Sequence, residues 1–347
     1  MDQKSPDTKH VVTFGELMLR LSPANYERLI QAKQFQINYG GGEANVAASL
    51  SMFGEESFFV SRIPDSLVGD AAMNSLRSLG VRTEYILRGG SRLGIYFLEH
   101  GAAIRSSKVV YDRANSSMSE VRPGMIGWNS VFAGKDWFHI TGITPALSNS
   151  CAVASIEAIK AAKSLSLTTS CDLNYRKKLW SRTEAKDVMN QLVHHADVLI
   201  ANENDASDIF GIAASDSDIT SGKLSVEGYQ MVAQQLMTLS GAKLVAITLR
   251  ESNSASDNNW TAILYDGENL YTGRKYPIHL VDRIGGGDSF SAGLIHGLVN
   301  NWDYQPALDF AIAASALKQT IPGDINLVNE QEVLSVVKGD LSGRVQR

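Results

Sequence analysis

Asp282-Arg-Ile-Gly-Gly-Gly-Asp-Ser-Phe-Ser-Ala-Gly-Leu294 runs three consecutive glycines into a segment that reads as a helix beginning at Asp288. Gly285, Gly286 and Gly287 can take backbone conformations closed to other residues and leave no side chain between backbone and ligand. The helix start adds unpaired N–H groups and partial positive charge. Such a junction binds anions, and a side chain at Gly286 is expected to obstruct an incoming phosphate. The alternative is structural, with Asp288 as an ordinary N-cap and the glycines as a tight turn.

Outward from this junction, composition sets bounds. The chain has 347 residues, 44% of them hydrophobic, enough for one large core or one domain with an appendage. A formal net charge of −5 gives no general attraction to nucleic acid or membranes, so an anionic ligand has to be met by locally placed cations. Met1 to His10 are polar and lack the apolar core of a signal peptide, and no stretch reaches the length of a membrane span, so a cytoplasmic protein is expected. Cys151 and Cys171 fit neither a zinc spacing nor a disulfide framework and read as inert thiols; no protein-ligated metal is expected.

Residues 11–21 begin as a continuous apolar run and then alternate, as a buried strand continuing into a half-exposed one would. Phe35 to Tyr39 alternates as well, and Gly40-Gly41-Gly42 then leads into a helix of small residues from Glu43. This second glycine-to-helix junction lacks the spaced G-x-G-x-x-G pattern, which argues against a nicotinamide enzyme. A strand at 57–61 and a helix at 66–79, stopped by Gly80, form one β-α unit. Residues 93–99 and 108–113 are strand-like with no helix between them. With 17–21 and 34–38 they are expected to form a small antiparallel sheet, a lid built from about 16–39 and 92–115.

From Asp136 onward, strands at 136–141, 167–172, 197–201 and 243–249 alternate with helices at 149–164, 183–195, 203–210 and 225–239. A hairpin of 260–265 and 269–276 crosses Asp266-Gly267, and helices follow the glycine junction at 306–320 and 329–337. The pattern predicts a single α/β domain over 1–347, a doubly wound and mostly parallel sheet with helices on both faces plus the small β lid. Ligands of such a sheet lie beyond the carboxyl ends of its strands, where both glycine junctions fall.

Gly40-Gly-Gly-Glu-Ala-Asn-Val-Ala47 and Asp282-Arg-Ile-Gly-Gly-Gly-Asp288 together resemble the two signatures of the ribokinase-like, or PfkB, family of carbohydrate kinases, over almost the whole chain. Within that family, Tyr111-Asp-Arg113, Asp172-Leu-Asn-Tyr-Arg176, Leu179-Trp180 and the Asp-Arg-Ile form of the second motif are similar to those of 2-keto-3-deoxygluconate kinases. The resemblance implies ATP-dependent phosphorylation of a sugar acid, with Asp288 as the base that takes the proton from the attacking hydroxyl. The N–H groups of Gly285, Gly286 and Gly287 would hold the charge developing on the phosphoryl group.

Substrate contacts carried over from the family are Gly41, Asn45, Tyr96, Tyr111, Arg113, Arg176, Asp288 and Asp324. The two arginines would pair with the carboxylate that neutral sugars lack. For ATP they are Asn174, Arg176, Asn202, Thr248, Arg250, Gly285 and Gly287. Mg²⁺ would enter with the nucleotide near Glu203 and Asp205, without direct protein ligands, and a monovalent cation is an open further requirement. Two departures stand out: Asp205 replaces the usual Glu, and Thr248-Leu-Arg-Glu-Ser replaces a Gly-rich nucleotide loop. Singly, strand tyrosines are more often packing residues and an arginine a solvated charge. The other functional readings are a neutral-ketose kinase, such as a fructokinase, and a sugar-acid sensor without activity. An exposed lid sheet has edges and an apolar face to cover, which points to a homo-oligomer.

Overall fold

Alternation of side chains along the first strand decides how the layers stack. In the computed structural model, which describes residues 8–214 and 226–340, Val11 joins a core layer with Val46, Leu50, Phe290 and Phe310. Val12, pointing the other way, joins a layer with Phe138, Ala158, Leu192 and Tyr229. A strand buried on both faces has helices above and below it.

The strands are β1 (His10–Phe14), β2 (Met18–Ser22), β3 (Gln36–Gly40), β4 (Glu56–Ile63), β5 (Ile86–Arg88), β6 (Gly94–Glu99), β7 (Lys108–Asp112), β8 (Trp137–Thr141), β9 (Thr168–Asp172), β10 (Val198–Asn202), β11 (Leu244–Ser252), β12 (Asp257–Tyr265), β13 (Leu270–Thr272) and β14 (Tyr276–His279). The helices are α1 (Gly42–Met52), α2 (Leu67–Arg77), α3 (Trp128–Phe132), α4 (Asn149–Ser164), α5 (Arg182–Val193), α6 (Asp205–Phe210), α7 (Val226–Ser240), α8 (Gly286–Val299), α9 (Tyr304–Lys318) and α10 (Glu330–Val337). In the central sheet β11, β10, β9, β8, β1, β4 and β5 lie parallel in that order, and β12 turns antiparallel at one edge, carrying β13 and β14. The order reverses beside β1, because the chain first builds outward through β4 and β5 and then returns to place β8 on the other side of β1. A crevice opens beyond the carboxyl ends at such a switch point.

The expected fold class is the observed one, and several details differ. Residues 11–21 make two strands in two sheets: β1 ends at Phe14 and β2 begins at Met18. The small sheet has the order β3-β2-β6-β7 and is mixed, since β2 and β6 run parallel. The second arm of the 260–276 hairpin is interrupted at Gly273 and pairs with β12 in two pieces. Helix α8 starts at Gly286, with Gly285 as N-cap in the left-handed region (φ 79°), so Asp288 sits inside the first turn and is not the cap. Residue 225, expected at the start of α7, and Met1 to Asp7 lie outside the described residues. Periodicity gave no sign of the short β5 and α3, which are below the length at which it can be read.

Helices α8 and α9 cross closely through small residues. A Cβ on Gly293 would lie 2.8 Å from the Ala311 Cα, a backbone atom that cannot turn aside. Close approach brings the last turn of α9 under the glycine junction, where Ser315 Oγ donates to the Gly286 carbonyl (2.7 Å). Gly293→Val is therefore expected to destabilise the protein by about 1–3 kcal/mol, the usual cost of overpacking, read as a lower denaturant midpoint at unchanged m-value. An unchanged midpoint would show that the two helices can separate without cost.

Candidate active site

Both glycine-to-helix junctions meet at the crevice. Asn45 Nδ2, in the first turn of α1, donates to Asp288 Oδ2 in the first turn of α8 at 2.7 Å, across 243 residues of sequence. A Cβ on Gly42 would lie 3.8 Å from Asp288 Oδ1, so the two helix starts nearly touch. Beneath them Glu43 is fully buried and acts as an anchor, its Oε1 accepting from Thr141 N (3.0 Å), Thr141 Oγ1 (2.8 Å) and Thr144 Oγ1 (2.7 Å). Burial pushes the Glu43 carboxyl up to about 7, against the pull of those donors.

A cavity of about 360 Å³ opens between the small sheet and the carboxyl ends of β9, β10 and β11. Gly41, Asn45, Tyr96, Tyr111, Arg113, Asn174, Arg176, Asn202, Glu203, Thr248, Arg250, Gly285, Gly287, Asp288 and Asp324 all line it. Two expected residues do not. A Cβ on Gly286 would face the Gln319 side chain at 3.2 Å, whereas one on Gly287 would meet nothing within 4 Å, so the open position of the junction is Gly287. Asp205 is turned into the protein, accepting from Asn202 N (2.9 Å) and Tyr175 N (3.1 Å), and borders a neighbouring depression instead. Its work is to fix the turn that presents Asn202 and Glu203.

The electrostatics divide the cavity into two ends. At one end Tyr96, Tyr111, Arg113 and Asp324 come from the small sheet and from the segment 321–326. Arg113 lies one residue beyond β7, over the Tyr111 ring at 5.4 Å, and is 8% exposed, so it is no solvated surface charge. Its guanidinium pairs with the buried Glu16 carboxylate, which Ser116 Oγ also donates to. The Arg113 Nε has no protein partner. Asp324 receives Arg20 at one oxygen (2.5 Å) and the Tyr96 hydroxyl at the other. Burial, with the adjacent Asp324 charge, raises the Tyr96 pKa well above its ordinary value and keeps the phenol protonated.

At the other end Arg250 pairs with Glu203 (3.1 Å), and Arg283 lines the wall nearby. Burial, and then the Arg250 charge, lower the Arg283 pKa. The Nε atoms of both arginines are buried without a partner. Two crowded cations with unused donors, facing an open glycine, suit a polyphosphate. Between the two ends stands Asp288, half-buried: loss of water pushes its pKa up to about 6, with the Asn45 hydrogen bond and the Arg176 charge acting in the opposite direction. Asp172 is also raised well above its ordinary value, by burial first and then by Asp205 and Asp288. A carboxylate poised near neutrality beside helix N–H groups can take a proton from a hydroxyl while those groups hold an anion.

Sequence reasoning missed Glu16, Arg20, Arg283 and Lys318. Arg20 alternates with Met18 and Ser22 on the inner face of β2, while Leu19 and Leu21 face outward and are only half-buried. Lys318 falls three and four residues after the buried Ser315 and Ala314, a helical spacing that was there to be read. Among the described residues no group of three or more His, Cys, Asp or Glu is arranged to hold a metal ion, and no helix is long and apolar enough to cross a membrane.

Residues 8–331 match the model of the pfkB family of carbohydrate kinases. The chain is 32% identical, over 97% of its length and 99% of the relative's, to 2-dehydro-3-deoxygalactonokinase of Haloferax volcanii. It superposes on the crystal structure of 2-dehydro-3-deoxygluconokinase from Thermotoga maritima with a TM-score of 0.92 at 44% identity, covering 95% of this chain and 100% of that one. The crystal structure of fructokinase with bound ATP from Xylella fastidiosa shares the fold at 20% identity, with a TM-score of 0.76 over 95% of this chain and 98% of that one. With both glycine junctions of one fold converging on Asp288, the chain belongs to the pfkB family of carbohydrate kinases.

Proposed function

We propose that this protein transfers the γ-phosphoryl group of ATP to the terminal hydroxyl of 2-keto-3-deoxygluconate, giving ADP and 2-keto-3-deoxy-6-phosphogluconate. The observation that carries it is one cavity with a poised carboxylate in its middle, two arginines at a tyrosine-lined end and two more at a glycine-lined end. Asp288 removes the hydroxyl proton as the oxygen attacks, and Asn45 holds that carboxylate in line. N–H groups of the first turn of α8 take up charge developing on the phosphoryl oxygens. Arg250 and Arg283 meet the remaining phosphates, and Asn174, Asn202 and Thr248 flank the nucleotide. Glu203 is the carboxylate near which magnesium supplied with ATP would be held, and the ion would there neutralise phosphate charge. At the other end Arg113 and Arg176 grip the substrate carboxylate while Tyr96, Tyr111, Gly41 and Asp324 hold the carbon chain.

The small sheet serves as a lid over this single catalytic domain, in a cytoplasmic enzyme. Its outer face carries Ile37 (63% exposed) and Val110 (50% exposed), and a second copy of the chain would cover them. One observation favours a neutral-ketose substrate instead: Arg113 already has Glu16 as a counter-ion. ADP release with 2-keto-3-deoxygluconate, 2-keto-3-deoxygalactonate, fructose and ribose decides among these readings, and failure to turn over either acid would overturn the proposal.

Asp288→Asn should lower kcat by about 10²–10⁴-fold with nucleotide binding retained. Because the base has to be ionised, wild-type kcat/KM should fall as pH drops through about 6. Near-normal turnover by the folded variant would remove Asp288 from the chemistry.

Arg113→Lys keeps a charge for Glu16 but loses the planar fork. It is expected to raise KM for the acid roughly tenfold, about 1.4 kcal/mol, and to leave KM for the carboxyl-reduced analogue nearly unchanged. Equal effects on the two compounds would assign the pocket to a neutral sugar.

Sedimentation of the wild type should report a dimer or a larger assembly, which Ile37→Asp shifts towards monomer. A monomeric wild type would leave the outer face of the lid as bare surface.

A further inference from the structure

Lys318 ends α9 and is completely buried (0% exposed). Its ammonium has three protons to donate, and three carbonyl oxygens receive it: Gly323 at 2.6 Å, Asp282 at 3.1 Å and Ile321 at 3.4 Å. None of these partners is a carboxylate, so the group is not held as one half of an ordinary ion pair. The Asp282, Asp324 and Asp288 carboxylates favour its charge from nearby, Arg20 opposes it, and burial pushes its pKa down to about 8, so it stays mostly protonated near pH 7.

The carbonyls it gathers belong to the two segments that matter most. One is 282–287, which leads into α8. The other is 321–324, which ends in Asp324. The Lys318 Cε would lie 3.3 Å from a Cβ on Gly285, and such a Cβ would also fall 1.8 Å from the Asp324 carbonyl, so the two segments are packed together over this side chain. The last turn of α9 adds to the grip, since the Gln319 carbonyl accepts from Val281 N (3.0 Å) and Asp282 N (3.2 Å). Converging carbonyl oxygens repel one another unless a cation stands between them, and a ring of carbonyls is also the coordination that dehydrates a potassium ion. Filling the space needs only an apolar side chain; burying an ammonium there is costly unless its charge is used.

We propose that the Lys318 ammonium is a built-in monovalent cation: it draws the Asp282, Ile321 and Gly323 carbonyls together, thereby sets the position of the α8 N–H groups, and makes turnover independent of added potassium or ammonium. Lys318 is a positioning residue, since it acts through the loop and not on the substrate. This inference rests on the sugar-kinase reading for its kinetic arm only.

The test compares wild type, Lys318→Ala and Lys318→Met in choline chloride, KCl and NH₄Cl. Wild-type kcat should be the same in all three salts. Lys318→Ala, which removes the ammonium together with three methylene groups and leaves room for a cation among the carbonyls, should lose roughly 10- to 100-fold in kcat in choline, the scale of a small misplacement of catalytic groups, with KM for the sugar little changed. KCl or NH₄Cl should restore it saturably. Lys318→Met fills the hole without a charge and should be slow in every salt. A purely structural lysine would give a slow alanine variant that no cation rescues, and that result overturns the proposal. So does a wild type that requires potassium, or a methionine variant with normal kcat. Should Lys318→Ala unfold in choline, a rise in its melting temperature in KCl, absent from the wild type, carries the same argument, and its absence overturns it. Wild-type inactivity on every sugar would remove the kinase reading and leave this thermal arm standing.

Discussion

One guanidinium ties together the segments that bound the cavity. Arg20 extends from the small sheet, almost without exposure to water, to Asp282 and Asp324, each at 2.5 Å. Burial works against its charge, yet the Asp324 and Asp282 carboxylates outweigh that cost and hold its pKa above the usual value. Asp282 is further satisfied by Ile284 N and Gly323 N, both at 3.1 Å. A sheet strand, the loop before α8 and the segment ending at Asp324 are thereby fixed to one another. Removing one partner of so buried a set strands the opposite charges, typically at about 3–5 kcal/mol. Such a set stabilises little for its size but permits a single arrangement, and the cavity is bounded by that arrangement.

The same constraint explains why carboxylates near the cavity tend toward protonation. Asp172, Asp205, Asp288 and Glu43 are all raised chiefly by loss of water. Arg176 is the cation that pulls Asp172, Asp205 and Asp288 back down, while Arg113 and Arg250 are committed to Glu16 and Glu203. The cavity therefore presents arginine Nε donors without protein partners beside an Asp288 carboxyl whose pKa is pushed up to about 6. Both features are unfavourable alone and become useful only beside an anionic, hydroxylated ligand.

Much of this was legible in the sequence, for a definable reason. The two glycine junctions announce themselves locally, through residue types that only special backbone or close approach requires, and regular alternation after Asp136 fixes the parallel sheet. What could not be read were consequences of partners distant in the chain. The alternation of residues 18–22 is clear, but the rule that the polar side faces water gives the wrong side: Leu19 and Leu21 face outward while Arg20 is buried, because the inner face of β2 borders a charged site beside only a small apolar cluster of Met18, Tyr96 and Leu98. The orientation of Gly286 towards Gln319 and the use of Asp205 as a backbone anchor likewise depend on neighbours that no local pattern names.

Two of the four connections between the sheets are very short. The chain leaves β1 at Phe14 and enters β2 at Met18, and it leaves β3 at Gly40 and begins α1 at Gly42. Only Gly15, Glu16 and Leu17 on one side and Gly41 on the other lie between. With so little slack the small sheet cannot drift on a tether; any swing it makes is levered through the Glu16 that grips Arg113 and through the first turn of the helix that bears Asn45. A displacement of the small sheet would therefore be passed on to Asn45 and, through its hydrogen bond, to Asp288, so that the position of this sheet and the alignment of that carboxylate are mechanically one variable.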